Sequence, residues 1–217
     1  MCRLVLITLT ILVTINAFAQ NPEVISNKGM NSDLSFKKDE INQLFSIARN
    51  SIHMKLFENK MLTIEPSGIP PDLKKCMGAF VSLIVDGNLR GCTGRFVSSD
   101  PLYEVVNQMA VASAFEDSRF NPLSKDDFNK LKIEISVLGP LKKINNISEI
   151  VLGKHGIYIE KGDKSGTMLP QVATGNHWTV EQFLGYTSRD KAGLGWEGWK
   201  NADIYIYEAV EFVENKK

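Results

Sequence analysis

The dipeptide Asp86-Gly87 sits between two strand-like runs, Gly78 to Val85 and Asn88 to Thr93. A two-residue Asp-Gly link suits a turn with positive φ at both positions, whose twist matches that of the strands it joins. The chain is therefore expected to fold back here as an antiparallel hairpin. An uninterrupted register sets Cys92 opposite Val81, five residues along from Cys76, or roughly 16 Å at about 3.3 Å per residue. A disulfide needs Cα atoms within about 7 Å. Cys76 and Cys92 are thus expected as two free thiols.

Other segments surround the hairpin with mixed structure. Ser35 reads as an N-cap, and Ile41, Leu44, Phe45, Ala48 and Ile52 fall on one helical face. Asp100-Pro101 reads as a second helix start, with Asp100 as cap and Pro101 at the first helical position. Leu102, Val105, Val106, Met109 and Ala110 form its buried stripe. Ser124 with Asp127 resembles a capping box, and Ile133, Ile135 and Val137 alternate with polar residues as in a half-buried strand. A second hairpin is expected from Gly156 to Leu169. Thr179 with Gln182 caps a further helix, and Ile204 to Phe212 closes the chain as a strand. Hairpins and helices interleave without a βαβ rhythm, so the fold class is α+β rather than doubly wound.

The N-terminus reads as a targeting segment. Arg3 precedes an apolar run from Leu4 to Ile15, and Ala17-Phe18-Ala19 fits a small-x-small cleavage site. Residues 1–19 are expected as a signal peptide, 20–34 as a flexible linker and 35–217 as the folded domain. The run is too short for a stable membrane span, which needs about 20 apolar residues, so the mature protein is expected to be exported, periplasmic or secreted. Removing Arg3 leaves 24 basic against 25 acidic residues, a net charge of −1. Without a basic excess, nucleic acid is not an expected partner.

The octet Leu89 to Phe96, LRGCTGRF, carries the densest chemistry. Gly91 and Gly94 permit close approach of a ligand or another backbone. Arg90 and Arg95 favour a Cys92 thiolate, the nucleophilic form; the alternative is a buried structural thiol. Four of the five arginines after the leader, Arg90, Arg95, Arg119 and Arg189, lie in or beside such blocks, and their planar forks suit carboxylate or phosphate. Alternatively, Arg119 pairs with Asp117 and pins a loop. His155 is the best general-base candidate, as partner to Cys92 or as a hydrogen-bonded turn residue. Gln171, after Pro170, is expected beyond a short strand lining the same cleft. No His or Cys spacing suggests a metal site, and nothing identifies a cofactor.

The octet resembles the LRGC-hydrophobic-G-x-F signature of the AMMECR-one domain family, whose prokaryotic members are called AmmeMemoRadiSam system protein A. Five further blocks agree in order. They are Glu116 to Leu123, Ile133 to Pro140, His155-Gly156-Ile157, Leu169 to Ala173, and Lys191 to Leu194. The resemblance spans about Phe36 to Phe212 and implies an α+β fold of two closely packed sub-lobes, with the RGC segment at a cleft and an unsettled activity. Thr93 stands for the usual Ile, Arg95 for a small or polar residue, and Ser188 for a Cys. An acidic residue expected near Gly175 and Asn176 is missing. Two readings follow. One is an enzyme or binding protein for a small anionic ligand, with Arg90, Gly91, Cys92, Gly94, Arg119, His155 and Gln171 around it. The other is a non-catalytic module that docks a partner protein. Oligomeric state is not set by the sequence.

Overall fold

The computed structural model describes residues 34–214. The expected signal peptide and most of the expected linker lie outside them. Leu34 does not belong to a linker: it is buried, with its side chain against Gly139.

The described chain divides into two compact units, one of residues 35–137 with 210–214, the other of residues 138–209 with Leu34. The first contains α1 (Lys38–Glu58), β1 (Gly78–Val85), β2 (Asn88–Arg95), α2 (Leu102–Phe115), α3 (Lys125–Lys130) and most of β3 (Lys132–Leu138). The second contains β4 (Lys142–Ile144), β5 (His155–Lys161), β6 (Lys164–Met168), α4 (Pro170–Gly175) and α5 (Val180–Tyr186). β7 (Asp203–Val213) gives its first part to the second unit and its end to the first. The α+β expectation holds.

In the first unit, α2 packs against α1 on one side and against β1 and β2 on the other. It is accordingly buried almost all round, from Leu102 to Ala114. Leu44, Ala48 and Ile52 of α1 and Ile133, Ile135 and Val137 of β3 are fully enclosed. One polar link crosses the two helices: Ser51 Oγ lies 2.7 Å from Asn107 Oδ1, both buried. The strand order is β2, β1, β3, then the end of β7, so β2 is an edge.

In the second unit β7 pairs with β4 and β5, and β5 with β6, all antiparallel. Ile157, Ile159 and Ile206 from these strands meet Phe183 and Leu184 of α5 in its core. The helix-start Thr179 and its Gln182 form the expected capping box.

Three local expectations need correction. α1 is capped at Lys37, not Ser35, and Glu40 accepts the Lys37 N–H at 2.7 Å. α2 is capped at Pro101, because the Asp100 carboxylate turns away to Arg95. The hairpin turns at Asp86-Gly87, both at positive φ, but its register slips between Leu83 and Ile84. Leu89 faces Ile84 and Gly91 faces Leu83, leaving Arg90 as the extra residue of a β-bulge. Cys92 consequently faces Ser82, not Val81.

Candidate functional site

Gly91, next to the bulge, lies against α2. A Cβ on Gly91 would lie 1.9 Å from the Ser113 carbonyl oxygen, so only glycine lets helix and strand approach this closely. Ser113 uses that proximity. Its hydroxyl donates to the Val81 carbonyl at 2.7 Å and accepts the Thr93 N–H at 2.9 Å, standing between two cross-strand partners. Thr93 Oγ1 lies 2.8 Å from the same hydroxyl, and a threonine at this position is thereby explained.

Gly91 and Thr93 point toward α2, so Cys92 points to the opposite face of the strand. Cys92 is 1% exposed, and Ser82 donates a hydrogen bond to its sulfur at 3.2 Å. Burial pushes the thiol pKa up, outweighing the opposite pulls of Ser82 and Arg119. The thiol is held protonated rather than poised as a nucleophile. Cys76 is also free and is exposed, its thiol donating to the Ser99 carbonyl.

The backbone of Cys92 is satisfied by side chains. Its N–H donates to Asp117 Oδ2 at 2.9 Å, and its carbonyl accepts from Arg119 Nη2 at 2.9 Å. Arg119 in turn donates through Nε and Nη2 to the two Asp117 oxygens, at 2.9 and 2.6 Å. One acceptor and one donor thus meet the free edge of β2 as an adjoining strand would. Burial raises the Asp117 pKa, but hydrogen bonds from Arg119 and from the Cys92 N–H outweigh it and hold the carboxyl below its ordinary value.

Arg90 is occupied as well. Its guanidinium donates to the carbonyls of Asn121 and Pro122 and lies 3.4 Å from Asp127. Arg95 pairs with Asp100, and Arg189 with its neighbour Asp190. Gly94 has no room for a ligand at its own position: a Cβ there would meet the Phe80 ring at 2.2 Å.

The structure therefore brings Arg90, Gly91, Cys92, Gly94 and Arg119 together in the first unit. His155 and Gln171 belong to the second. His155 begins β5 beside Glu208, and its Nδ1 accepts the Val151 N–H at 3.1 Å. That bond leaves the proton of the neutral ring on Nε2. Burial, then the neighbouring Lys154 charge, lowers the His155 pKa. Gln171 is exposed on α4, a helix where the sequence suggested only the end of a strand. Among the described residues no group of three or more His, Cys, Asp or Glu could hold a metal ion, and no helix is long and apolar enough to cross a membrane. Sequence reasoning singled out neither Ser82 nor Ser113. The one available signal was a serine inside the apolar stripe of α2.

A chain with this α+β build and a glycine-bracketed cysteine on an edge strand matches known proteins. The AMMECR1 family profile covers residues 45–212. The chain belongs to the AMMECR1 family. It is 37% identical over 181 residues to a protein of Nanoarchaeum equitans, covering 79% of this chain and 99% of that one. A protein of Aquifex aeolicus is 34% identical over 175 residues, covering 77% and 88%. The crystal structure of an uncharacterised protein from Pyrococcus horikoshii superposes with a TM-score of 0.75 at 34% identity, covering 83% of this chain and 94% of that one.

Proposed function

We propose that this AMMECR1 domain is a non-catalytic interaction module, in which the RGC block shapes a rigid edge rather than performing chemistry. The observation that carries this reading is that Arg90, Cys92 and Arg119 are already engaged within the unit; in the octet Arg95 Nε alone is buried without a hydrogen bond among the described residues. The Cys92 thiol is buried and protonated, and the guanidinium groups of Arg90 and Arg119 are engaged by carbonyls and carboxylates of the same unit. An anion entering there would have to displace Asp117, a carboxylate already bonded to both Arg119 and the backbone. A Cys–His pair lacks support as well, since His155 Nδ1 already accepts the Val151 N–H and the ring proton is on Nε2.

A thermal-shift screen with phosphate, small carboxylates and nucleotides tests this directly, because a ligand that binds only the folded state raises the transition by mass action. No stabilisation is expected from any of them. Native-state alkylation is the companion measurement: Cys76 should react while Cys92 reacts only on unfolding. A saturable shift with an anion that disappears in Arg90→Ala would overturn the module reading in favour of a small-ligand site.

A further inference from the structure

The sheet of the first unit has a second polar region that the RGC block does not use. Glu214 N–H donates to the Ile133 carbonyl at 2.9 Å, and Gly139 N–H donates to the Glu208 carbonyl at 2.8 Å. Both bonds belong to one antiparallel register of β3 and β7, neighbours in the sheet. In that register Ser136 stands opposite Glu211 in a non-hydrogen-bonded pair, where side chains approach most closely. Glu134, two residues before Ser136, projects from the same face, diagonal to Glu211. Ile133, Ile135 and Val137 take the other face and are fully enclosed.

These three polar side chains share one property. Neither Glu134, Ser136 nor Glu211 has a hydrogen bond or ion pair with any described residue. Of the carboxylates at least partly enclosed in the same unit, Asp117, Asp127 and Glu214 are each held by an arginine. Ser136 is only 7% exposed, so its unpartnered hydroxyl is the inner wall, while Glu211 is exposed and forms the rim. Ser136 Oγ is not a fully enclosed atom, so a hydroxyl with no hydrogen bond to the described residues stays open to a ligand.

We propose that Glu134, Ser136 and Glu211 form a seat for one basic side chain, lysine or arginine, presented by a partner protein. This rests on the module reading and names what the partner brings. Three acceptors and no donor but a rotatable hydroxyl call for a group rich in N–H, which ammonium and guanidinium supply. A metal ion fits less well, since no third acidic, histidine or cysteine ligand converges there among the described residues. The charges around the seat are few. Lys132 on β3 makes no ion pair with Glu134, and Cys92 on β2 feels the Glu134 charge. Burial raises the Glu134 pKa against the opposing pull of Lys132. The protein packed around the Glu211 carboxyl, then the Glu134 charge, raises that of Glu211 although the residue as a whole is exposed; both carboxyls stand to gain from an added cation.

The test is a titration of the full chain, labelled with nitrogen-15, with acetyl-Ala-Lys-Ala-amide and acetyl-Ala-Arg-Ala-amide. The matching Gln and Glu peptides serve as controls, and butylammonium as a free amine. Saturable shifts at the amides of residues 134, 136 and 211 are expected with the two basic peptides and not with the controls. Glu134→Gln and Glu211→Gln should each weaken binding roughly tenfold, the size of a lost charge-assisted hydrogen bond. The Glu211 change, on the exposed rim, leaves the fold intact. Absence of shifts at these amides overturns the seat, as does equal binding by the Gln peptide. Tighter binding of butylammonium than of either peptide overturns the partner side chain as its occupant. Failure here and failure of the module reading are separable, because the latter is read from anions and from Arg90→Ala.

Discussion

The first unit contains two polar regions that obey opposite rules. Along the edge of β2, Arg90, Arg95 and Arg119 each pair with a carboxylate within the unit, and Asp117 serves the Cys92 N–H and Arg119 at once. On the face shared by β3 and β7, Glu134, Ser136 and Glu211 are left without any among the described residues. Groups that are tied to one another rigidify the edge and have little to offer a ligand, whereas groups without a partner in the described chain stay available to one. The region with the most distinctive sequence is therefore architectural, and the open valences lie elsewhere.

The hardest way to break this contrast is to attack the close approach at Gly91. Gly91→Ala places a methyl group against the backbone of buried α2, where nothing flexible can move aside. We expect a loss of about 3 kcal/mol or more, at the upper end of overpacking effects, measured by urea denaturation. A loss below about 1 kcal/mol would mean that helix and strand can separate here, and that the edge is not rigid.

Asp117→Ala should come next. It strands the Cys92 N–H and removes the carboxylate from Arg119, whose side chain is 23% exposed and can turn partly to water. Breaking a fully buried pair costs roughly 3–5 kcal/mol; with that escape we expect about 2–3 kcal/mol. The pH dependence follows from the same group. The Asp117 pKa is depressed in the folded state, so its stabilisation is complete above the ordinary aspartate value, about 3.9, and is lost as pH falls through the folded value. Asp117→Ala should therefore flatten the acid limb of the stability curve. An unchanged acid limb would show that the edge draws nothing from this carboxylate.

The sequence made the hairpin legible, because Asp86-Gly87 is a local signal that needs no tertiary information. It did not make the bulge legible. No local residue pattern marks the slip at Arg90, and the close approach beside it, of Ser113 to Gly91, comes from a helix residue 20 positions further on than Thr93, its backbone partner. Likewise the pairing of Arg119 with Asp117 was one of two open readings, since both the anion site and the loop pin use the same residue types. α4 escaped notice because six residues are too few to show a helical period. Ser136 looked like an ordinary outward residue of an alternating strand, and only the β3–β7 register sets it against Glu211. Family blocks were readable because they are contiguous; the partners that decide their role are not.

The smallest expected effect tests the other side of the contrast, and has the opposite sign. If Glu134 is a carboxylate without a partner, removing its charge should help the free protein. Its folded pKa lies above the unfolded one because of burial, so it favours the folded state at low pH, and that contribution is lost as pH rises through the folded value. Glu134→Gln should therefore stabilise at pH 7 relative to the parent chain, by about 0.5 kcal/mol once solvent screening is allowed for. The gain should shrink toward zero below the ordinary glutamate pKa, about 4.3, where both proteins carry a neutral side chain. Paired urea titrations at neutral and acid pH measure the difference. Destabilisation at pH 7 would mean that the carboxylate already has a stabilising partner, and the two regions would then differ in degree rather than in kind.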